Sequence, residues 1–267
     1  MELVEILGYA GALLIGLVLG LIGGGGSILT VPILVYALSL NPVIGTAYSL
    51  FIVGATSLVG AVKNLMKGMV DIKTAIIFAI PAFIAVYLTR AFLIPAIPDE
   101  LFQIGDFLVT KNLAIMLFFA IIMLLASVSM IRDKRKETDE ETKITYNYPL
   151  IIIEGIVVGT ITGIVGAGGG FLIIPALVLL AKLPMKKAVA TSLLIIAIKS
   201  LIGFIGDVQN LDIDWPFLLS FTGISVIGIF VGIWLNKFID GKKLKKAFGW
   251  FVLLMGIYII YKELANQ

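Results

Sequence analysis

Residues 16–35 read GLVLGLIGGGGSILTVPILV, and residues 159–178 read GTITGIVGAGGGFLIIPALV. The two stretches align at an offset of 143 without a gap, and the register continues past them. Between residues 16–71 and 159–214, 18 of 56 positions are identical. Apolar sequence matches itself by chance, so the weight rests on the paired Gly, Pro, Ser and Asp residues. These are Gly16/Gly159, Gly20/Gly163, Gly23/Gly166, Gly25/Gly168, Gly26/Gly169, Pro32/Pro175, Ser49/Ser192, Ser57/Ser200 and Asp71/Asp214. The chain is internally duplicated.

Around this duplication lies an unusually oily chain. Of 267 residues, 60% are apolar and 14% charged, with a mean hydropathy of +1.11. Soluble domains are about 45–50% apolar and about 25% charged, and a chain of this size has too much surface to hide the excess. The composition specifies an integral membrane protein. The absence of His and Cys removes the usual acid–base residue at neutral pH, thiol chemistry and Cys/His zinc sites. The first residues, MELVEILGYAGALLIGLVLGLIGG, lack the basic start and cleavage site of a secretory signal, and are expected to be a retained membrane segment.

A helical crossing needs about 20 apolar residues. Eight long segments are expected near 3–22, 42–62, 74–94, 112–131, 147–165, 186–206, 215–236 and 247–262. Two shorter runs, 27–40 and 170–183, each follow a glycine cluster and reach only about 21 Å as helices. A charged linker, residues 132–146, divides the chain into a first transmembrane repeat (1–131) and a second (147–267).

Charges at corresponding loops are opposite. Lys63, Lys67 and Lys73 correspond to a stretch holding Asp207, Asp212 and Asp214; Asp99 and Glu100 correspond to one holding Lys237, Lys242, Lys243, Lys245 and Lys246. Lys182, Lys186 and Lys187 correspond to Ser39, Val43 and Ile44. Cytoplasmic loops are rich in Lys and Arg, so the repeats are expected to lie upside down relative to each other. With the linker and its five Lys/Arg residues inside, both termini fall outside. The expected fold is an all-α integral membrane protein of two inverted repeats, about five helical segments each, with Gly-interrupted helices near the midplane.

Inverted repeats with broken helices are a recurrent construction of secondary transporters, and the breaks point to the substrate site. Gly23, Gly24, Gly25, Gly26 and Ser27 in one half, and Gly166, Gly168, Gly169 and Gly170 in the other, are therefore candidate substrate-binding residues. Each following run would present free N–H groups and a positive dipole end, which favour an anion. Glycines at four-residue spacing also let helices pack closely, and Gly16/Gly20 and Gly155/Gly159/Gly163 read that way. No phosphate-loop signature completes itself at either cluster. The hydroxyls of Thr46 and Ser49, and of Thr191 and Ser192, either face a substrate or bond to backbone carbonyls; Ser49 and Ser192, being matched, are the stronger pair.

Lys199 lies inside a span, where a lysine is costly. It either faces the substrate or snorkels toward the acidic 207–214 loop. Arg90 and Glu154, nearer segment ends, read as snorkelling anchors. An intramembrane enzyme is disfavoured, because Ser192 and Lys199 stand two turns apart, about 10 Å along a helix. No cofactor, metal or nucleic acid is expected. The expected partners are a small anionic substrate, the lipid bilayer and a coupling ion, proton or sodium; the oligomeric state is left open.

The repeated pattern G-x-x-x-G-x-x-G-x-G-G-[GS] followed by Pro, from Gly16 to Pro32 and from Gly159 to Pro175, resembles that of the TauE/SafE family, the sulfite exporters. The resemblance covers nearly the whole chain. It implies a permease of the cytoplasmic membrane for sulfur-bearing anions such as sulfite or organosulfonates, or for related organic acids. It supplies no substrate-binding residue of its own, and an anion channel of the same fold stays open.

Overall fold

A computed structural model describes residues 3–104, 107–132, 148–179, 183–236, 238 and 241–265. The linker expected at 132–146 lies, Arg132 apart, outside the described residues.

Among the described residues the fold is helical apart from one hairpin. Helix α1 spans Leu3–Ile22. After Gly23 the chain forms a 3₁₀ turn (Gly24–Leu29), one α turn (Thr30–Pro32) and a π turn (Ile33–Ala37). Helix α2 (Pro42–Leu65) and helix α3 (Ile72–Ala96) follow. Strands β1 (Glu100–Ile104) and β2 (Phe107–Thr110) pair antiparallel and lead into α4 (Lys111–Arg132). The remaining helices are α5 (Tyr148–Val165), α6 (Gly170–Leu179), α7 (Met185–Val208), α8 (Trp215–Leu235) and α9 (Gly241–Ala265). Five of them, α2, α3, α4, α7 and α8, are long and apolar enough to cross a membrane.

Helix starts are written in the sequence. Asn41 accepts a bond from the Val43 amide, ahead of Pro42 at the first helical position. The matched Asp71 and Asp214 each cap a helix, accepting from the amides of Thr74 (2.8 Å) and Phe217 (3.1 Å). Such caps satisfy amides that have no intrahelical partner. The amides of these aspartates donate across the molecule, Asp71 to Thr191 Oγ1 (2.9 Å) and Asp214 to the Tyr48 hydroxyl (2.7 Å). Tyr48 and Thr191 are themselves 143 residues apart, so each half ties down the other's helix start in the same way.

Glycines determine the helix pairs. Gly16 and Gly20 of α1 press on the backbone of α8 around Ser225, Ile229 and Gly232, leaving no room for a Cβ. Ser225 Oγ donates to the Ala12 carbonyl at 2.8 Å, and Asn236 reaches the Leu21 carbonyl, so the two helices run parallel. Gly155, Gly159 and Gly163 of α5 pack on Phe78–Pro81, Ala82–Ala85 and Thr89 of α3, again in parallel. Close approach through small residues gains dispersion contacts that lipid cannot supply.

Two pairs run antiparallel. Gly54 of α2 faces Leu201 of α7, and Gly60 faces Leu193. Gly249 and Gly256 of α9 face Met130 and Leu124 of α4. Near its end α9 meets the π turn of the first short segment, where the Tyr36 hydroxyl donates to Glu263 at 2.7 Å. Helices α1, α2, α4 and α8 thus run one way and α3, α5, α7 and α9 the other. One face carries Leu3, the β hairpin, the 209–214 loop and Ala265. The opposite face carries the 66–71 loop, Arg132 and the starts of α5 and α7.

The first short segment does not continue α1 across. Gly26 packs on Val18 and Leu19, Gly11 on Ile33 and Gly8 on Leu38, so the segment folds back along α1 toward the side where α1 began.

Candidate functional site

The two glycine breaks meet at mid-length of the α2–α7 pair. Gly23, Gly166, Gly168 and Gly169 have positive φ (75°, 72°, 62° and 66°), a region L-residues avoid. These four positions turn each chain back sharply. Gly23 lies against Val189 of α7, and Gly166 against Thr46 of α2, residues that are again 143 apart. Gly24 and Gly170, the first residues of the two returning segments, touch Cα to Cα. Gly25 lies within the first 3₁₀ turn. Gly168 faces Ser27 of the other break, and Val53 and Ile196, which stand near the middles of α2 and α7.

That contact refines one expectation. The starts of the two returning segments face each other, but the Gly24–Gly170 contact leaves no space for an anion between them. Polar groups flank the contact instead. Ser27 Oγ donates to the Gly24 carbonyl at 2.7 Å. Beside Gly169, Lys199 Nζ lies 3.0 Å from where a Cβ would stand.

Lys199 is 0% exposed. Its ammonium donates to Thr162 Oγ1 at 2.6 Å, and Thr162 in turn donates to the Gly159 carbonyl at 3.2 Å. Among the described residues no carboxylate pairs with it; Arg90, the other buried cation, pairs with Asp207. The side chain points inward to the second glycine break, so the snorkelling alternative for Lys199 is removed.

The other candidates divide. Ser49 is fully buried, and its hydroxyl has no partner among the described residues. Its counterpart Ser192 donates to the Val189 carbonyl at 2.8 Å. Thr46 donates to Val43 within its own helix (2.9 Å), and Thr191 holds the Asp71 amide. Beyond Ser49, five buried hydroxyls have no partner among the described residues: Thr30, Thr56, Ser57, Thr74 and Ser200. Thr56 is the counterpart of Lys199, and Ser57/Ser200 were visible as a matched pair.

Arg90 corrects an expectation. It is 0% exposed and does not snorkel. It sits in the π turn Thr89–Leu93 of α3, and its Nη1 pairs with Asp207 Oδ1 at 3.4 Å. The near-end position suggested an interfacial anchor; a partner 117 residues away turns the side chain inward instead. Glu154 is partly exposed, with Oε2 buried and unpartnered among the described residues. No group of three acidic side chains among those residues gathers as a metal site.

A family model described as "Sulfite exporter TauE/SafE" matches residues 9–259. The chain belongs to the TauE/SafE family. Among curated relatives of this TauE/SafE protein, a "Probable membrane transporter protein" of Xylella fastidiosa (strain 9a5c) is 28% identical over 258 residues, 95% of this chain and 94% of the relative. The "Probable membrane transporter protein YunE" of Bacillus subtilis (strain 168) is 28% identical over 265 residues, 94% and 95% of the two chains. The "Probable membrane transporter protein MJ0441" of Methanocaldococcus jannaschii is 36% identical over 117 residues, 42% and 44% of the two chains. No solved structure matches. The protein is a multi-pass membrane transporter, not an enzyme.

Proposed function

We propose that this TauE/SafE protein is a secondary transporter of small, sulfur-containing oxyanions such as sulfite or organosulfonates. It works by alternating access around the paired glycine breaks. The observation that carries this reading is Lys199, a fully buried ammonium with no carboxylate partner among the described residues, set against the second break. A lone buried charge is expensive, and an oxyanion arriving beside it supplies the missing countercharge. The binding residues are Lys199, Ser49 and Ser192 with the backbone of Gly23–Ser27, Gly166 and Gly168–Gly170. The coupling ion is a proton or sodium.

In this reading the halves, 1–131 and 147–267, are inverted repeats that rock against each other. Equivalent helices run in opposite directions (α1 and α5, α2 and α7, α3 and α8, α4 and α9), which supports the inversion. Lys63, Lys67, Arg132, Lys186 and Lys187 fall on the face that the linker leaves and rejoins, while Asp99, Glu100, Asp212 and Asp214 fall on the other. By the positive-inside rule, the linker is cytoplasmic and both termini lie outside the cytoplasmic membrane. Single cysteines at Leu65 and Val208, 36% and 41% exposed, test this in a chain that has no other cysteine. An impermeant maleimide added to intact cells will label Val208→Cys and will reach Leu65→Cys only after permeabilisation. Labelling of both from one side overturns the inversion.

The transport reading is tested by counterflow of labelled sulfite into proteoliposomes loaded with unlabelled sulfite, methanesulfonate, sulfate or acetate. Transient accumulation above equilibrium marks a carrier, and the order of internal anions ranks its substrates. Flux that is linear in concentration, without counterflow, makes the protein a channel. Accumulation driven by acetate alone moves the substrate class to non-sulfur organic anions.

A further inference from the structure

The buried pair of Arg90 and Asp207 is incompletely bonded. Only Nη1 and Oδ1 meet, at 3.4 Å, long for a charge-assisted bond. Arg90 Nε and Nη2 and Asp207 Oδ2 are buried with no partner among the described residues. Nε and Nη2 share one edge of the guanidinium and present two parallel N–H groups, the fork that takes two oxygens of a carboxylate, sulfonate or phosphate. The edge used for Asp207 is the other one. Buried donors of this kind call for an explanation, and a half-satisfied ion pair is a poor source of stability.

Nor does the repeat require the pair. At the same offset of 143, Asp207 corresponds to Asn64 and Arg90 to Ile233. The Asn64 side chain donates back along its own helix, to the Gly60 carbonyl at 2.9 Å. The charged pair is thus confined to the half of the path leading to the face that carries the termini. It also adjoins the break. Thr162, the partner of Lys199, precedes Gly163, which packs on Thr89, the neighbour of Arg90. On α7, Lys199 and Asp207 are eight residues apart, about 12 Å along the axis, with Gly206 packed against Arg90.

We propose that Arg90 is a second oxyanion station, between the Lys199 site and the face carrying the termini. The arriving oxyanion takes the Nε–Nη2 edge, and Asp207 is the resident carboxylate that holds the guanidinium when the station is empty and weakens the anion's hold when it is full. This rests on the oxyanion-transport reading above.

The experiment is equilibrium binding of labelled methanesulfonate, a permanent monoanion, to the purified full-length protein. Asp207→Asn removes the competing charge, and binding becomes about tenfold tighter than in wild type. The double variant Arg90→Gln/Asp207→Asn, which keeps polar groups but no charge, loses that gain. Lys199→Met keeps a weak component that Asp207→Asn strengthens. If Asp207→Asn binds as wild type does and Lys199→Met abolishes all binding, there is one site and the Arg90 station is wrong, with the transport reading intact. If neither wild type nor Asp207→Asn binds the probe, both readings fall. Binding by the double variant as tight as by Asp207→Asn places the gain elsewhere and overturns the station. Each variant is compared at matched monodispersity, so a fold defect is not read as lost binding.

Discussion

Gly170→Ala will lower counterflow to the level of protein-free liposomes, because one methyl group wedges the two glycine breaks apart. A Cβ at residue 170 would overlap the Gly24 Cα and stand 2.5 Å from its carbonyl carbon and oxygen. These are backbone atoms on a turned segment, so no side-chain rotation relieves the clash. Overpacking of this kind costs about 1–3 kcal/mol, which a protein of this size survives with a lowered melting temperature. Gly24→Ala makes the same clash from the other side, since its Cβ would overlap the Gly170 Cα. Two variants in different halves will therefore share one phenotype. Gly223→Ala in α8 is the control, because nothing lies within 4 Å of the added Cβ. It keeps wild-type flux and gains up to about 1 kcal/mol from better helix propensity. Wild-type flux in both Gly170→Ala and Gly24→Ala would remove the glycine breaks from the mechanism.

The reach of the sequence is clearest where the signal is local. Segment ends follow from hydropathy and from caps at Asn41, Asp71 and Asp214, and the long segments appear within three residues of their expected bounds, except the last, whose helix begins at Gly241 rather than near 247. The breaks after Ile22 and Val165 follow from glycine clusters that no continuous helix favours. Outside that reach lies the β hairpin at 100–110, whose strands of five and four residues carry too few positions to show a period. The π turns at Ile33–Ala37 and Thr89–Leu93 are also hidden, because one extra residue in a turn leaves the hydropathy profile unchanged.

For the site, what escaped was partnership. Lys199 could be placed inside a span, but choosing between snorkelling and facing the break needed Thr162, on a helix 37 residues away. Arg90 escapes the sequence for the same reason, since its distance from a segment end carries no information about Asp207. Among the hydroxyls the structure separates equals. Ser49 and Ser192 are identical in sequence terms, yet only Ser192 closes a bond to its own helix. Thr191, attractive as a ligand, is occupied in holding the start of α3.

Lys199→Met will melt at a higher temperature than wild type and transport at least about a hundredfold more slowly, and that opposition of sign is what identifies a functional lysine. Removing an ammonium from a low-dielectric interior returns a desolvation penalty of several kcal/mol, and a well-packed apolar residue of similar length commonly makes such a site neutral or more stable. The hydrogen bond lost is the single one to Thr162, and that hydroxyl keeps its own bond to the Gly159 carbonyl, so the substitution strands no donor. A structural lysine would behave in the opposite way: the variant would lose stability, and its flux would fall only as far as the folded fraction did. A loss of flux in protein that is more stable than wild type cannot come from unfolding. On the proposed function, it comes from removing the buried ammonium beside the break that pairs with the oxyanion. Counterflow and thermal unfolding on the same preparation read both signs. A more stable Lys199→Met with wild-type counterflow would sink Lys199 as a substrate ligand and shift the search to the unpartnered hydroxyls of Ser49, Thr56, Ser57 and Ser200.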